Sequence, residues 1–428
     1  MNSAIGTCNR WLALCGLCFA VVTVVLDATV VNVALPSIRQ GLKFTGTSLV
    51  WVVNAYTLTY GCSLLLGGRL GDIFGRRRIF LTGLALFTGA SMACGLANSQ
   101  GLLVGARVAQ GFGGSAVVAV ALSLIMTLFP GTTERAKAVG VYSFVCACGG
   151  SLGLILGGFV TSTFNWHWIF LVNLPVGVAV GIMLHYSLPY DTPAETNSRH
   201  LDLWSAVTGT LGLRNLAVAN AVGGLWTAGA SAWFFISSLY MQRVLGVGPM
   251  EAGLAFLPAT LLNATFALGV SARMANSFGI KKSLTAGLLL VSVGLALLAR
   301  APTDGSVIRN VIPSMIILGL GAGITYNPLV LAAMRDVPSK DAGMAAGFFT
   351  TSNILGGALG LSVLVTLAEV RTAALQRSGV GTLAAITGGY DLAFLVAALF
   401  TALAGGLGAL MLKLGPAKEP EPAGQAIG

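Results

Sequence analysis

Apolar residues in this chain form long, nearly uninterrupted runs separated by short clusters of charge. A helix crossing a hydrocarbon layer about 30 Å thick needs roughly 20 apolar residues, and runs of that length recur from one end of the chain to the other. Charge-free windows over residues 44–68, 108–133, 215–242, 252–272, 310–334, 342–368 and 392–412 each accommodate one crossing. Residues 79–106 hold one crossing and a short turn, and residues 138–190 hold two, broken around Asn165. Residues 283–299 reach Arg300, whose long stem lets its charge snorkel to the interface. The first run, 11–38, is interrupted only by Asp27. The pattern predicts helices over 12–35, 47–69, 79–98, 102–129, 137–162 and 167–188. It predicts six more over 215–241, 250–272, 282–300, 308–335, 342–371 and 389–413, twelve in all.

Composition agrees. Only 9% of the 428 residues are charged and 55% are hydrophobic, whereas an ordinary globular domain is about 25% charged. So few charges cannot cover a water-facing surface, which excludes a soluble enzyme, a nucleic-acid binder and a disordered chain. The class implied is an all-α polytopic membrane protein embedded in the lipid bilayer. The net charge of +10 then reads as topology. The N-terminus, the even-numbered loops and the C-terminus hold sixteen Lys and Arg, against seven in the odd-numbered loops. By the positive-inside rule both termini are expected in the cytoplasm. The first run is too long for a signal peptide, and no small-residue cleavage site ends it. Cys15 and Cys18 have CxxC spacing but no His or acid beside them, so buried structural thiols are expected. His167, His185 and His200 are scattered, and no paired carboxylates or nucleophile-base order appears. No catalysis, metal or cofactor is expected.

The halves resemble each other. Residues 68–83 read GRLGDIFGRRRIFLTG and residues 272–287 read ARMANSFGIKKSLTAG, an offset of 204. At an offset of 207, Gly149, Gly150 and Gly153 fall on Gly356, Gly357 and Gly360. A six-helix unit duplicated in parallel implies two bundles around a central cavity, related by an axis along the membrane normal. The expected organisation is an N-terminal six-helix bundle over 1–190 and a cytoplasmic linker with a remnant apolar segment over 191–214. A C-terminal bundle over 215–413 and a cytoplasmic tail over 414–428 complete it.

Gly68, Leu70, Asp72, Gly75, Arg76 and Arg77 form a loop that resembles the G-x-L-x-D-x-x-G-R-[RK] motif of the major facilitator superfamily. Residues 26–36, LDATVVNVALP, resemble helix 1 of its drug:proton antiporter group, usually built with fourteen spans. Arg107, Gln110 and Gly111 are similar to the helix 4 motif, and Gly149, Gly153, Gly157 and Gly158 to the glycine-rich helix 5 motif. WHWIFLVNLPVG at 166–177 resembles the start of helix 6, and residues 239–258 the entry into the last six-span block. Leu154 stands where that helix 5 motif has Pro, and His167 where the family has Arg between two Trp. Residues 201–213 resemble the start of the first extra helix of the fourteen-span group but are too short to span, so the central pair is read as missing.

Asp27 and Arg107 are the two charges deep inside apolar runs. Such a charge costs about 2.5–3.5 kcal/mol on insertion scales and normally faces a cavity or a partner. The resemblance implies that Asp27 carries a coupled proton and Arg107 tunes it; a structural ion pair is the alternative. Asn32, Asn54, Trp226, Tyr326 and Asn327 are candidates for the substrate cavity, with Tyr56, Tyr60 and Asn220, although each could equally anchor or pack a helix. A single acid in the cavity would suit cationic or neutral amphiphiles. The expected function is a monomeric secondary transporter in the bacterial inner membrane. It would couple protons to efflux of small amphiphilic or drug-like compounds by alternating access, with the Asp72 loop as a cytoplasmic latch. The alternatives are a facilitator or importer of a metabolite, and a non-transporting sensor or inactive truncated relative.

Overall fold

The computed structural model describes residues 7–129, 131–189, 213–337 and 342–413, and among these no residue is in a strand. The expected linker therefore lies almost wholly outside the described residues, as does the expected tail. Among the described residues, twelve helices cross the molecule. The first six are α1 (Thr7–Leu42), α2 (Gly46–Phe74), α3 (Arg76–Gly95), α4 (Gln100–Leu128), α5 (Thr132–Thr163) and α6 (Trp168–Ser187). In the second half, α7 covers Arg214–Arg243, α9 Ile280–Leu298, α10 Val307–Met334, α11 Ala342–Arg377 and α12 Thr382–Met411.

Between α7 and α9, α8 differs from the expected single span of 250–272. It is assembled from Pro249–Ala255, Leu257–Thr265, a π-turn at Phe266–Val270 and Ser271–Phe278. Pro258 brings no backbone N–H to the helix, which accounts for the interruption at Phe256. The helix α12 also starts earlier than the expected residue 389. Gly388 and Gly389 lie inside it, and a Cβ on Gly389 would sit 2.5 Å from the Ala368 carbonyl oxygen of α11. Gly389 thus packs closely on α11 from within the helix.

Large apolar side chains such as Leu359, Leu395, Leu399 and Leu410 point outward. Lipid is as apolar as these side chains, so packing between the helices relies on close backbone approach rather than on a hydrophobic difference. The internal repeat is visible here. Gly75 and Gly279, one at each α2–α3 and α8–α9 turn, both have positive φ, 98° and 87°. Gly83 of α3 lies against Gly113 of α4, and Gly287 of α9 lies against Gly321 of α10 in the same way. Gly153 of α5 packs on Leu26 and Thr29 of α1, while Gly360 of α11 packs on Ala228 of α7.

The two six-helix bundles meet along α1–α7, α2–α11 and α5–α8. Asn54 Nδ2 donates to the Ala358 carbonyl and to Ser362 Oγ, both at 2.9 Å. Ser238 Oγ donates to the Asn32 carbonyl at 2.8 Å, and Gln242 Nε2 to that of Val33 at 2.9 Å. These bonds gather in the half of the molecule that carries the α1–α2, α7–α8 and α11–α12 turns.

A buried ion pair beside an uncharged central cavity

Asp27 and Arg107 are each 1% exposed. They form an ion pair in which Arg107 Nη1 donates to Asp27 Oδ2. The other carboxylate oxygen accepts from Gln110 Nε2 at 2.8 Å and from Asn173 Nδ2 at 3.0 Å. Arg107 Nη1 also donates to Gln110 Oε1 at 2.8 Å, and its Nε donates to the Val52 carbonyl at 3.0 Å. Its guanidinium stacks over the Tyr56 ring at 4.1 Å, a cation–π contact that gains from exclusion of water. Gln110 Nε2 further donates to Ser91 Oγ at 2.7 Å. One network therefore ties α1, α2, α3, α4 and α6 together inside the N-terminal bundle.

The spacing on α4 is what makes this possible. Arg107 and Gln110 are three residues apart and share a helix face, and Gly111 lets that helix approach α2, where a Cβ would lie 2.6 Å from the Tyr56 carbonyl oxygen. Sequence reasoning missed Asn173 and Ser91. The available signal was polarity, since each is a small polar residue in an apolar run. Tyr56 was a cavity candidate and is instead the platform beneath Arg107.

A second feature lies at the seam of the bundles. A cavity of about 420 Å³ is lined by α1, α2, α7, α10 and α11. Asn32, Asn54, Trp226 and Tyr326 line it, joined by Phe234 and Asn353, which were not singled out. Asn327 does not line it and donates to the Ala267 carbonyl of α8 at 2.7 Å. Asn220 also lies elsewhere, donating to the Leu216 carbonyl of its own helix at 2.9 Å. No Asp, Glu, Lys, Arg or His is among the described lining residues. Asp27 is thus not the acid of this cavity, contrary to the expectation of a single negative charge there. Its neighbours Ala28 and Thr29 line the wall, while its carboxylate turns into the bundle. Three buried polar atoms of lining residues, Asn54 Oδ1, Trp226 Nε1 and Asn353 Oδ1, have no hydrogen-bond partner among the described residues. Both amide assignments are fixed, because each Nδ2 donates to a backbone carbonyl.

The remaining motif residues lie outside this cavity. Asp72 and Arg76 form an exposed ion pair at 3.3 Å, and Arg76 reaches Thr127 Oγ1 of α4 at 3.3 Å. Arg77 is buried and donates to the His185 carbonyl of α6. Gly68 has open space where a Cβ would stand. Gly149, Gly153 and Gly157 face α1, whereas Gly158 faces Pro249 and Met250 of α8. Leu154 is buried, and its carbonyl oxygen would lie 2.5 Å from a Cβ on Gly253. Cys18 is buried but Cys15 is exposed, which corrects the expectation for the latter. Cys15 sits on the outer face of α1, beyond the reach of its own bundle's core.

Comparison with known proteins agrees with this architecture. The family described as the Major Facilitator Superfamily matches residues 17–361. The puromycin resistance protein pur8 of Streptomyces alboniger is 33% identical over 443 residues, covering 90% of this chain and 88% of that protein. That alignment is longer than the whole 428-residue chain, so the relative carries segments without a counterpart here. The cephamycin export protein CmcT of Amycolatopsis lactamdurans is 33% identical, covering 82% of this chain and 83% of that protein. Among solved structures, a bacterial homologue of the human lysosomal transporter Spinster, inward-facing and unoccupied, superposes with a TM-score of 0.78 at 16% identity. It covers 96% of this chain and 100% of the other. Twelve helices, a duplicated six-helix unit and these relatives together make the chain a multi-pass membrane protein that belongs to the Major Facilitator Superfamily of secondary transporters.

Proposed function

We propose that this protein exports small, uncharged, amphiphilic drug-like compounds by alternating access, driven by protons. The observation that carries the substrate reading is the seam cavity. Its walls combine aromatic, aliphatic, hydroxyl and amide side chains, none of its described lining residues is charged, and it leaves a donor and two acceptors unpaired among the described residues. A charged compound would have to shed its hydration there without a counter-ion, which is costly. A neutral compound with one acceptor and one or two donors would satisfy the free atoms. The named relatives act in antibiotic resistance and export, which supports an outward direction and a drug-like substrate.

Proton coupling rests on Asp27. Helix α1 carries Asp27 on one side and the wall residues Ala28, Thr29 and Asn32 on the other. Protonation would cancel the attraction that holds α1 to Arg107 on α4. The helix would then be free to shift against Gly153 of α5, and the cavity wall would move with it. The proton and the substrate thus act on opposite faces of one helix. In this reading the protein is a monomer in the bacterial inner membrane with both termini cytoplasmic, and the Asp72–Arg76 turn is the cytoplasmic latch. The domain bounds 1–190, 191–214, 215–413 and 414–428 belong to the same proposal.

The test is efflux of a neutral and of a permanently cationic fluorescent compound from vesicles containing the purified protein, with and without a pH gradient. Wild type should move the neutral compound only with the gradient, and Asp27→Asn should bind it without gradient-driven export. Full gradient-driven export by Asp27→Asn would overturn the role of Asp27. Preference for the cationic compound would overturn the substrate reading.

A further inference from the structure

A second cavity, of about 360 Å³, is lined by Pro36, Arg39, Gln40, Lys43, Phe44 and Arg243. It lies where the end of α1 meets the end of α7, outside the machinery described above. Three cations surround it. Arg39 Nη1 is buried without a hydrogen-bond partner among the described residues. Arg243 Nη1 donates to the neutral Tyr390 hydroxyl at 3.2 Å. Arg39 and Arg243 lie close enough to repel each other, and Glu369 of α11 is the carboxylate within electrostatic reach of Arg39. That carboxylate makes no ion pair with them, since the ion pairs among the described residues are Arg76–Asp72 and Arg107–Asp27. Lys43 holds a left-handed backbone, φ 55°, which is uncommon for a non-glycine residue. Arg39, Lys43 and Arg243 are moreover three of the seven basic residues on the sparsely basic side of the chain, so topology does not account for them.

We propose that Arg39, Lys43 and Arg243 form a binding site for a phosphate-class anion, either free phosphate or a lipid phosphodiester, that bridges the two bundles. Two guanidinium forks and an ammonium converging on one polar cavity match the several oxygens of a phosphate. Arg39 belongs to the N-terminal bundle and Arg243 to the C-terminal one, so an anion held by both turns their repulsion into a clasp at this end of the seam. The proposal stands independently of the transport reading.

The experiment uses the full-length protein in dodecyl maltoside micelles, which contain no phosphate, whereas every phospholipid carries a phosphodiester. Its melting temperature is followed while inorganic phosphate replaces chloride at constant ionic strength, which separates binding from screening. Wild type should show a saturable rise. Arg39→Gln and Arg243→Gln should each weaken the half-saturating phosphate concentration about tenfold or more, as expected for loss of a charge-assisted hydrogen bond. Lys43→Gln, at an exposed position that leaves the helices intact, should weaken it by less. A parallel series in the same micelles with added phosphatidylglycerol distinguishes the source. A lipid occupant would raise the wild-type melting temperature there, abolish its response to phosphate and leave Arg39→Gln unaffected by the lipid. A free anion would give the same phosphate response with and without the lipid. The proposal is overturned if wild type responds neither to phosphate nor to phosphatidylglycerol, or if the response persists unchanged in folded Arg39→Gln, Arg243→Gln and Lys43→Gln.

Discussion

Asp27→Asn preserves the shape of the side chain and removes its charge, so it isolates what the carboxylate does. Asp27 Oδ2 receives Arg107 Nη1, and Oδ1 receives Gln110 Nε2 and Asn173 Nδ2. An asparagine offers one acceptor and one NH2 group. If its NH2 faces Arg107, two donors confront each other beside an unpaired guanidinium. If it faces Gln110 and Asn173, it confronts their NH2 groups instead. Gln110 cannot turn over to relieve this, because its Oε1 accepts from Arg107 and its Nε2 donates to Ser91. Breaking one partner of a buried pair costs about 3–5 kcal/mol. For a bundle of this size that is a fall in melting temperature on the order of 10 °C. The assay is survival of the monodisperse protein after heating in detergent, compared among wild type, Asp27→Asn, Arg107→Gln and the double variant. Removing both charges removes the orphan, so the double variant should be more stable than the sum of the single losses by about 2 kcal/mol. If Asp27→Asn melts within about 2 °C of wild type, the carboxylate is not what holds Arg107, and the network reading fails.

Three further outcomes follow from the packing and the cavity. Gly356→Ala would place a Cβ 2.5 Å from the Gly224 Cα of α7 and should cost about 1–3 kcal/mol by overpacking. Gly68→Ala meets open space and should be neutral or stabilising by about 0.5–1 kcal/mol, so melting curves should separate the two despite their similar composition. Gly75→Ala and Gly279→Ala should each cost about 1–3 kcal/mol, because both positions hold a backbone conformation that an L side chain rarely adopts; equal stability of either variant would contradict the turn geometry. Trp226→Phe keeps the aromatic wall and deletes a donor with no partner among the described residues. It should leave the melting temperature unchanged and raise KM for an acceptor-bearing substrate about two- to tenfold.

The run lengths by themselves determined the twelve spans, their order and most of their bounds, because a bilayer imposes one length on every crossing segment and excludes alternatives to the helix. The sequence also carried the duplication, through Gly75 and Gly279 at matching turns and Gly153 and Gly360 at matching helix contacts. It marked Asp27 and Arg107 as charges too costly to leave without partners, and Gln110 as a motif residue three positions from Arg107. The tertiary structure decided which way each of them points. A helical period gives the angle between Asp27 and Asn32 on α1 but not which neighbour each side meets. Only the assembled helices show that Asn32 faces the seam cavity while Asp27 faces α4 and α6. The same holds for Asn327, whose partner is a backbone carbonyl on α8, and for the break in α8 and the early start of α12. Orientation about the helix axis, and contacts between segments far apart in the chain, are settled by the packing of all the helices together, and no local pattern of residues encodes them.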